Sequence, residues 1–406
     1  MGMSEYTLFS VMGLEIEYML VEANTLAISP KSDLILKALS DEDNFDEVKL
    51  GNMALSNELV MHVLELKNNG PVAPFAPIAS FFQNALHAIE PLLTQHNLRL
   101  LPSGAHPWMN PFTETKRWPY GQKDIYKQYD TIFNCQGHGW SNLQSMHINL
   151  PFISDEDFAK LHNAIRLILP ILPALSASSP FLEGVLTGKL SNRLAFYQTN
   201  QQRIPLITGD IIPEFVDSEL AYQRQILQPM YQAIAPFDPK GLLQHEWLNS
   251  RGAIAKFAQK AIEIRLLDAQ ECVQADIAIA KAIFAILKHW QNKPYFLEHP
   301  CPTQRLKNLY DKNLLYGFQA PIDDAELFRQ WQLAPLSNCR QVWAKLIEQI
   351  SHELDKDSQL ALEHILRFGS LSERLIKSYN RMNAPSKLFD LYNKLADCLI
   401  NNSLFV

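Results

Sequence analysis

The chain has 406 residues, of which 47% are hydrophobic and 19% are charged, as in globular proteins. Lysine and arginine number 36 against 43 aspartates and glutamates, so the formal net charge is −7. This mildly acidic balance argues against a nucleic-acid interface, which needs clustered positive charge, although a few local arginines can still hold a small anionic substrate.

The cysteines and the apolar stretches bear on the cellular compartment. The five cysteines are far apart and form no CxxC pair, which argues against a disulfide scaffold and a thiolate zinc site. The N-terminal residues carry no basic segment followed by an apolar one, so no signal peptide is predicted. Residues 164–177 and 275–287 are apolar but short for a membrane span, and both contain charged residues, so we expect buried helices. The sequence therefore predicts a cytoplasmic protein that contacts no membrane.

Strands and helices are interspersed in the first 290 residues. Alternating apolar residues predict strands, and apolar residues at helical spacing predict helices. The predicted strands cover residues 11–21, 60–67, 98–102, 144–150 and 261–267. The predicted helices cover residues 77–96, 155–169 and 275–289. This order lacks the regular alternation of a doubly wound sheet and favours an α+β fold.

The C-terminal part has a helical pattern. Residues 292–321 are rich in Pro, Asn and Lys and are expected to connect it to the body. Ser370 and Glu373 fit a capping box at the start of one of its helices. We therefore predict an α+β body over residues 1–290, a connection over 291–323 and a helical region over 324–406.

Four predicted strands each carry a pair of charged or polar residues two positions apart, and the two residues of a pair share one face of their strand. The pairs are Glu15 with Glu17, Glu65 with Lys67, His147 with Asn149, and Glu263 with Arg265. For any single strand a solvated face explains the pattern. Adjacent glutamates repel each other, however, and carboxylates with an imidazole suit Mg²⁺ or Mn²⁺, which would neutralise that repulsion. The hypothesis is a sheet face that binds metal ions.

Three arginines supply complementary charge. Arg193, Arg251 and Arg265 lie in short polar stretches, and a guanidinium can clamp a carboxylate or a phosphate with two parallel hydrogen bonds. Metal ions and arginines together suit phosphoryl transfer, although a structural ion pair explains each arginine taken alone. Residues 184–189 do not form a P-loop, because the glycine spacing is too short and no Ser or Thr follows the lysine.

Several segments in order along the chain resemble the glutamate–cysteine ligase and carboxylate–amine ligase family. They are residues 13–18 (GLEIEY), 64–67 (LELK), 103–108 (SGAHPW), 146–150 (MHINL), 178–184 (SSPFLEG) with 191–193 (SNR), 247–251 (WLNSR) and 263–268 (EIRLLD). The resemblance implies a glutamine-synthetase-like fold, with a curved antiparallel sheet, helices on its outer face, and a concave polar face that holds ATP and Mg²⁺ or Mn²⁺. It implies that ATP phosphorylates a carboxylate, typically the γ-carboxyl of glutamate, and that an amine, typically that of cysteine, attacks the acyl phosphate.

The resemblance also implies roles for individual residues. The implied metal ligands are Glu15, Glu17, Glu58, Glu65, His147 and Glu263, of which Glu58 needs a bulge to come into phase with Glu65. Arg251 and Arg265 would contact the phosphoryl groups in catalysis, Arg193 a substrate carboxylate or phosphate, and Asn149 the nucleotide or a metal-bound water. Ser145 departs from the pattern, because the bacterial carboxylate–amine ligase branch usually has His-x-His where this chain has Ser-Met-His.

Two other functions remain open at this point. One is a metal-dependent amidase or hydrolase that uses the same Glu and His face without ATP. The other is a non-catalytic relative that binds nucleotide. The expected partners are small-molecule substrates, glutamate with cysteine or another amine, and the amine acceptor and a homo-oligomeric state are left open.

Overall fold

The computed structural model describes residues 6–74, 76–291 and 294–406, which form a mixed α/β fold. The strands are β1 (Gly13–Glu22), β2 (Glu47–Leu50), β3 (Met53–Asn57), β4 (Val63–Asn68), β5 (Leu98–Leu101), β6 (Ser145–Pro151), β7 (Phe181–Leu182), β8 (Val185–Leu186), β9 (Ala253–Lys256) and β10 (Ala261–Asp268).

The helices of the body are α1 (Ser32–Leu39), α2 (Ile78–Gln95), α3 (Pro111–Glu114), α4 (Lys123–Phe133), α5 (Asp155–Ile168), α6 (Leu172–Ser176), α7 (Asn192–Tyr197), α8 (Glu219–Tyr222), α9 (Gln228–Ile234) and α10 (Val273–Trp290). Those of the C-terminal part are α11 (Tyr295–Glu298), α12 (Thr303–Tyr316), α13 (Ala325–Gln330), α14 (Cys339–Ile350), α15 (Lys356–Phe368), α16 (Leu371–Arg381) and α17 (Lys387–Ile400).

Eight strands form one sheet. Seven of them follow the order β2-β3-β4-β1-β6-β10-β9, and β5 pairs with β1 along the same edge of β1 as β6. All of these pairs are antiparallel. Strand β6 pairs with the first half of β1 and β5 with its second half. The predicted α+β class with an antiparallel sheet is therefore confirmed.

One face of the sheet is apolar and packs against helices α2, α5 and α10. Leu14, Ile16 and Tyr18 of β1 are almost fully buried in the same core cluster as Phe82 of α2 and Phe158 of α5. Each such side chain contributes about 1.5–3 kcal/mol on burial. The alternation of the strands then leaves their polar residues on the opposite face.

The two apolar stretches lie in the core, as predicted. Within the described chain, Asp155–Ser176 is the one helical stretch long and apolar enough to cross a membrane by length and composition, and 94% of its apolar 18-residue window is buried inside the protein. Helix α10 is likewise almost wholly buried.

The C-terminal part differs from its prediction in one respect. The predicted connection includes residues 292 and 293, which lie outside the described residues, but helices α11 and α12 occupy much of its remaining length. Helix α12 contacts α6 of the body, and among the described residues one buried cluster extends from the sheet to α15. The division into a body, a connection and a helical region stays a prediction. The capping box is confirmed at Ser370 and Glu373, at the start of α16.

Candidate active site

The register of the sheet brings the predicted carboxylates together on the polar face. Glu17 of β1 lies opposite Glu65 of β4, and Glu15 lies opposite His147 of β6. Ligand atoms of Glu15, Glu65 and His147 lie within 4.8 Å of one another. Those of Glu17, Glu58 and Glu65 do the same, so Glu65 is common to two adjoining groups.

Glu58 reaches this site by a route that the sequence analysis did not foresee. The strand predicted over residues 60–67 begins only at Val63, and Glu58 follows the end of the neighbouring strand β3. Since β3 pairs with β4, the end of β3 lies beside Glu65, so the bulge expected in β4 is not needed. The unpredicted hairpin β2–β3, turned by Gly51 at a φ of +64°, delivers this carboxylate.

Short hydrogen bonds hold the carboxylates in place. Ser145 donates from its backbone N (2.7 Å) and its Oγ (2.8 Å) to Glu17 Oε2. Ser56 Oγ donates to Glu65 Oε1 at 3.0 Å, and Asn149 Nδ2 donates to Glu15 Oε1 at 3.1 Å. Ser145 thus occupies the position of the missing first histidine and orients a carboxylate there.

The electrostatics of the site are those of crowded carboxylates. Burial and the neighbouring Glu65 and Glu17 raise the pKa of Glu58 well above its usual value, and burial with Glu15 raises the pKa of Glu65. Burial would also raise the pKa of Glu15, but the hydrogen bond and charge of His147, with two nearby lysines, outweigh it and lower this pKa to about 2. Burial lowers the pKa of His147, but its hydrogen bond to Glu15 and the charge of nearby glutamates outweigh this and raise it.

This donor set fits a divalent metal ion. Repulsion between buried carboxylates raises their pKa, and a bound cation relieves that repulsion. Oxygen ligands with one imidazole suit Mg²⁺ or Mn²⁺. Glu15, Glu17, Glu58, Glu65 and His147 therefore form a candidate metal site.

Glu263, the sixth predicted ligand, lies next to this site but forms ion pairs with basic side chains. Arg265 Nε lies 2.8 Å from its Oε1, and Lys256 Nζ contacts its Oε2. Its Oε1 is 3.9 Å from His147 Nδ1, and its side chain is 2% exposed. Burial alone would raise its pKa, but Arg265 and Lys256 lower it. Metal ligation by Glu263 stays a prediction.

A cavity of about 1090 Å³ opens beside the candidate metal site. Glu15 and Asn149 form part of its wall, next to the metal site. Tyr231, His245 and Trp247 line it as well, and the His245 and Trp247 rings stack with centroids 5.3 Å apart. A cavity of this size, with a flat aromatic wall and a cluster of charged groups, has the features of a ligand site.

Comparison with known proteins identifies the family. The model of glutamate–cysteine ligase family 2 matches residues 11–388. The chain belongs to glutamate–cysteine ligase family 2. An uncharacterized protein of Archaeoglobus fulgidus is 37% identical over 281 residues, which are 68% of this chain and 74% of that relative. A Corynebacterium glutamicum protein named "Putative glutamate--cysteine ligase 2" is 27% identical over 286 residues, 69% of this chain and 67% of that relative.

Solved structures share the fold of this family 2 chain. The glutamate–cysteine ligase of Francisella tularensis, solved in complex with AMP, matches with a TM-score of 0.62 at 12% identity, covering 97% of this chain and 90% of that one. A bifunctional glutathione synthetase from Pasteurella multocida matches with a TM-score of 0.61 at 13% identity, covering 97% of this chain and 53% of that one. The family and the fold together support ligase activity of the glutamate–cysteine ligase type.

In the family 2 chain, Arg193 is held by a residue that sequence reasoning missed. Asp268 is fully buried and accepts hydrogen bonds from Ser178 N, Ser179 Oγ, Ser191 Oγ and Arg193 Nη1. Regular alternation would place Asp268 on the apolar face, but the β10–β6 register shifts by one residue between Ile264 and Leu267. The consecutive leucines 266 and 267, which break the alternation, are the signal for this bulge.

The other two arginines differ in their surroundings. Arg251 donates through Nε and Nη2 to the two carboxylate oxygens of Glu214, both at 2.7 Å, so its guanidinium is already held in a bidentate ion pair. Arg265 lies on the polar face beside Glu263, and its side chain is 23% exposed. The phosphoryl contacts of Arg251 and Arg265 and the substrate contact of Arg193 stay predictions, and the geometry favours Arg265.

Proposed function

We propose that the protein is an ATP- and Mg²⁺-dependent ligase that joins the γ-carboxyl of glutamate to an amine, with cysteine as the leading acceptor. One observation carries the proposal. Two groups of candidate metal ligands share Glu65 and lie on the sheet face beside a cavity large enough for a nucleotide. Residues 11–388 match a family named for glutamate–cysteine ligation, and a relative of the same fold was solved with AMP.

Each part of the site has a role in this reaction. Glu15, Glu17, Glu58, Glu65 and His147 would hold the metal ions, and Mn²⁺ would fit the same donors. A divalent ion held by these residues would supply positive charge that offsets the negative charge of the phosphates. Asn149 donates to Glu15 from the wall of the cavity, so it is placed to orient a carboxylate ligand or a nucleotide.

The reaction has two steps. A carboxylate oxygen of glutamate attacks the γ-phosphorus of ATP and ADP leaves. The amine nitrogen then attacks the acyl carbon, phosphate leaves with one of the original carboxylate oxygens, and the nitrogen releases one proton to water. Arg265 lies on the same face as the carboxylates, and a guanidinium there stabilises the negative charge that develops on the transferred group.

The test is ADP release by the purified protein with Mg²⁺ and ATP. Glutamate is supplied alone, then with cysteine, then with other amino acids and simple amines. ADP release that requires glutamate and rises with cysteine supports the proposal. Release with another amine keeps the reaction and changes the acceptor. Product formed from an amide by metal alone, with no ADP released, would point to the amidase instead.

A further inference from the structure

The cavity beside the candidate metal site contains positive charge that the family resemblance did not assign. Two lysines, Lys67 and Lys256, are among the residues that line the cavity, and its described lining includes no arginine. Arg193, Arg251 and Arg265 do not belong to this lining. An anion that enters the cavity therefore first meets these two ammonium groups.

The two lysines lie on strands at either side of the carboxylate site. Lys67 is on β4, directly opposite Glu15 of β1, and Lys256 ends β9 beyond β6 and β10. The charges of both lysines act on Glu15, whose carboxylate lies between them. Their side chains are 24% and 25% exposed, and both line the cavity.

The present partners of both lysines are residues of the metal face. Lys67 Nζ lies 3.0 Å from Glu65 Oε1 and 3.0 Å from Glu47 Oε2, and Lys256 Nζ contacts Glu263 Oε2. A carboxylate that ligates a divalent ion gives up much of its negative charge to it, and its attraction for an ammonium group falls accordingly. Ligation by Glu65 would weaken one of the two carboxylate contacts of Lys67 and leave the contact with Glu47. Lys256 would be released in the same way where Glu263 ligates a metal ion, which stays a prediction.

We propose that Lys67 and Lys256 bind the phosphate groups of the nucleotide in this cavity, exchanging Glu65 and Glu263 for phosphate oxygens. The proposal rests on the function proposed above and names the protein groups that contact the triphosphate. The same cavity is lined by Tyr231, His245 and Trp247, whose aromatic rings suit stacking against a base. A lysine ammonium is a compact charge with three donors, which suits phosphate oxygens that are shared with a metal ion.

The test compares nucleotides that differ only in phosphate. Titration calorimetry with Mg²⁺ measures the Kd of the non-hydrolysable ATP analogue AMP-PNP and of adenosine for wild type, Lys67→Gln and Lys256→Gln. Loss of one charged contact to phosphate should raise the Kd of AMP-PNP about tenfold in each variant. The Kd of adenosine should change less than about twofold, since adenosine carries no phosphate to lose a contact. Arginine substitutions at the same positions keep the charge and should restore most of the AMP-PNP affinity.

Lys260→Gln is the matched control. Lys260 lies four residues after Lys256, is exposed, and donates to Ile153 O outside the cavity. This substitution removes the same charge and should leave both Kd values unchanged. If the wild type binds AMP-PNP and the two glutamine variants bind it equally well, the lysine assignment is wrong and the proposed function stands. An equal loss for adenosine and AMP-PNP would also overturn it, because the lysines would then act on the fold. A wild type that binds neither compound overturns the proposed function together with this assignment.

Discussion

Replacing Glu65 by Gln tests whether the crowded carboxylates are built for a metal ion. Glu65 belongs to both candidate ligand groups, so the substitution removes one ligand from each while keeping the size of the side chain. We expect two opposite effects on stability. The metal-free protein should become slightly more stable, and the stabilisation by Mg²⁺ should be lost.

The magnitudes can be worked from the distances. Ligand atoms of these carboxylates lie within 4.8 Å of one another, and at that upper limit two ionised carboxylates repel by about 3.5 kcal/mol at an effective dielectric constant of about 20. The pairs of Glu65 with Glu15 and Glu17 therefore cost at least about 7 kcal/mol. The Lys67 ammonium at 3.0 Å returns about 5.5 kcal/mol on the same scale. The balance is a net repulsion of about 1–2 kcal/mol, which agrees in sign with the raised pKa of Glu65. Glu65→Gln should raise the free energy of unfolding of the metal-free protein by about this amount.

The metal effect is measured in the same experiment. Wild-type protein with Mg²⁺ at 100 times its Kd should gain about 2.7 kcal/mol in free energy of unfolding. If loss of the shared ligand weakens binding about 100-fold, the variant should gain only about 0.4 kcal/mol. Urea unfolding followed by tryptophan fluorescence, in EDTA and in Mg²⁺, gives both quantities. Glu363→Gln, an exposed glutamate on α15, is the control and should behave as wild type. The reasoning is refuted if Glu65→Gln keeps the full Mg²⁺ stabilisation, or if it destabilises the metal-free protein by the 3–5 kcal/mol or so typical of a broken buried ion pair.

The same contacts give three further predictions. Because burial and like charges raise the pKa of Glu58 and Glu65 in the folded state, the metal-free protein should lose stability as pH rises above the ordinary glutamate value of 4.5, and saturating Mg²⁺ should remove that loss in urea unfolding across pH. Asp268→Asn leaves the buried Arg193 without its carboxylate, so the free energy of unfolding should fall by about 3 kcal/mol, and an unchanged urea midpoint would contradict this. Arg251→Lys breaks a bidentate ion pair and should lower the free energy of unfolding by about 1–3 kcal/mol. Loss of turnover with an unchanged free energy of unfolding would instead support a direct contact of Arg251 with phosphate.

Strand alternation predicted the parts of the site that lie on regular strands. In β1 and β6 the period of two decides which side chains share a face, so the pairs Glu15 with Glu17 and His147 with Asn149 could be assigned from the sequence. The pairing of β1 with β6, which brings His147 opposite Glu15, is visible only in the structure. The antiparallel register then brings Glu65 opposite Glu17, and this pairing is set by long-range contacts that alternation alone does not specify.

Other parts of the site depend on irregularities of the chain. Glu58 was expected on a bulged β4, because the hairpin of β2 and β3 was not recognised. Its sign in the sequence is the two-residue Gly51-Asn52 turn between two short alternating runs. Asp268 was not assigned at all, because one extra residue in β10 reverses which face it occupies. The ion pair of Arg251 joins residues 37 positions apart, and the local sequence contains no indication of it.

The transfer of a carboxylate oxygen to phosphate tests the central claim most directly. Glutamate labelled with ¹⁸O in both γ-carboxyl oxygens is incubated with the protein, Mg²⁺, ATP and the amine that gives ADP release. If the carboxylate is activated as an acyl phosphate, each amide formed should yield one inorganic phosphate that carries a single ¹⁸O atom, and mass spectrometry of the phosphate reads this out. Inorganic phosphate without ¹⁸O, while the amide product accumulates, would contradict the account.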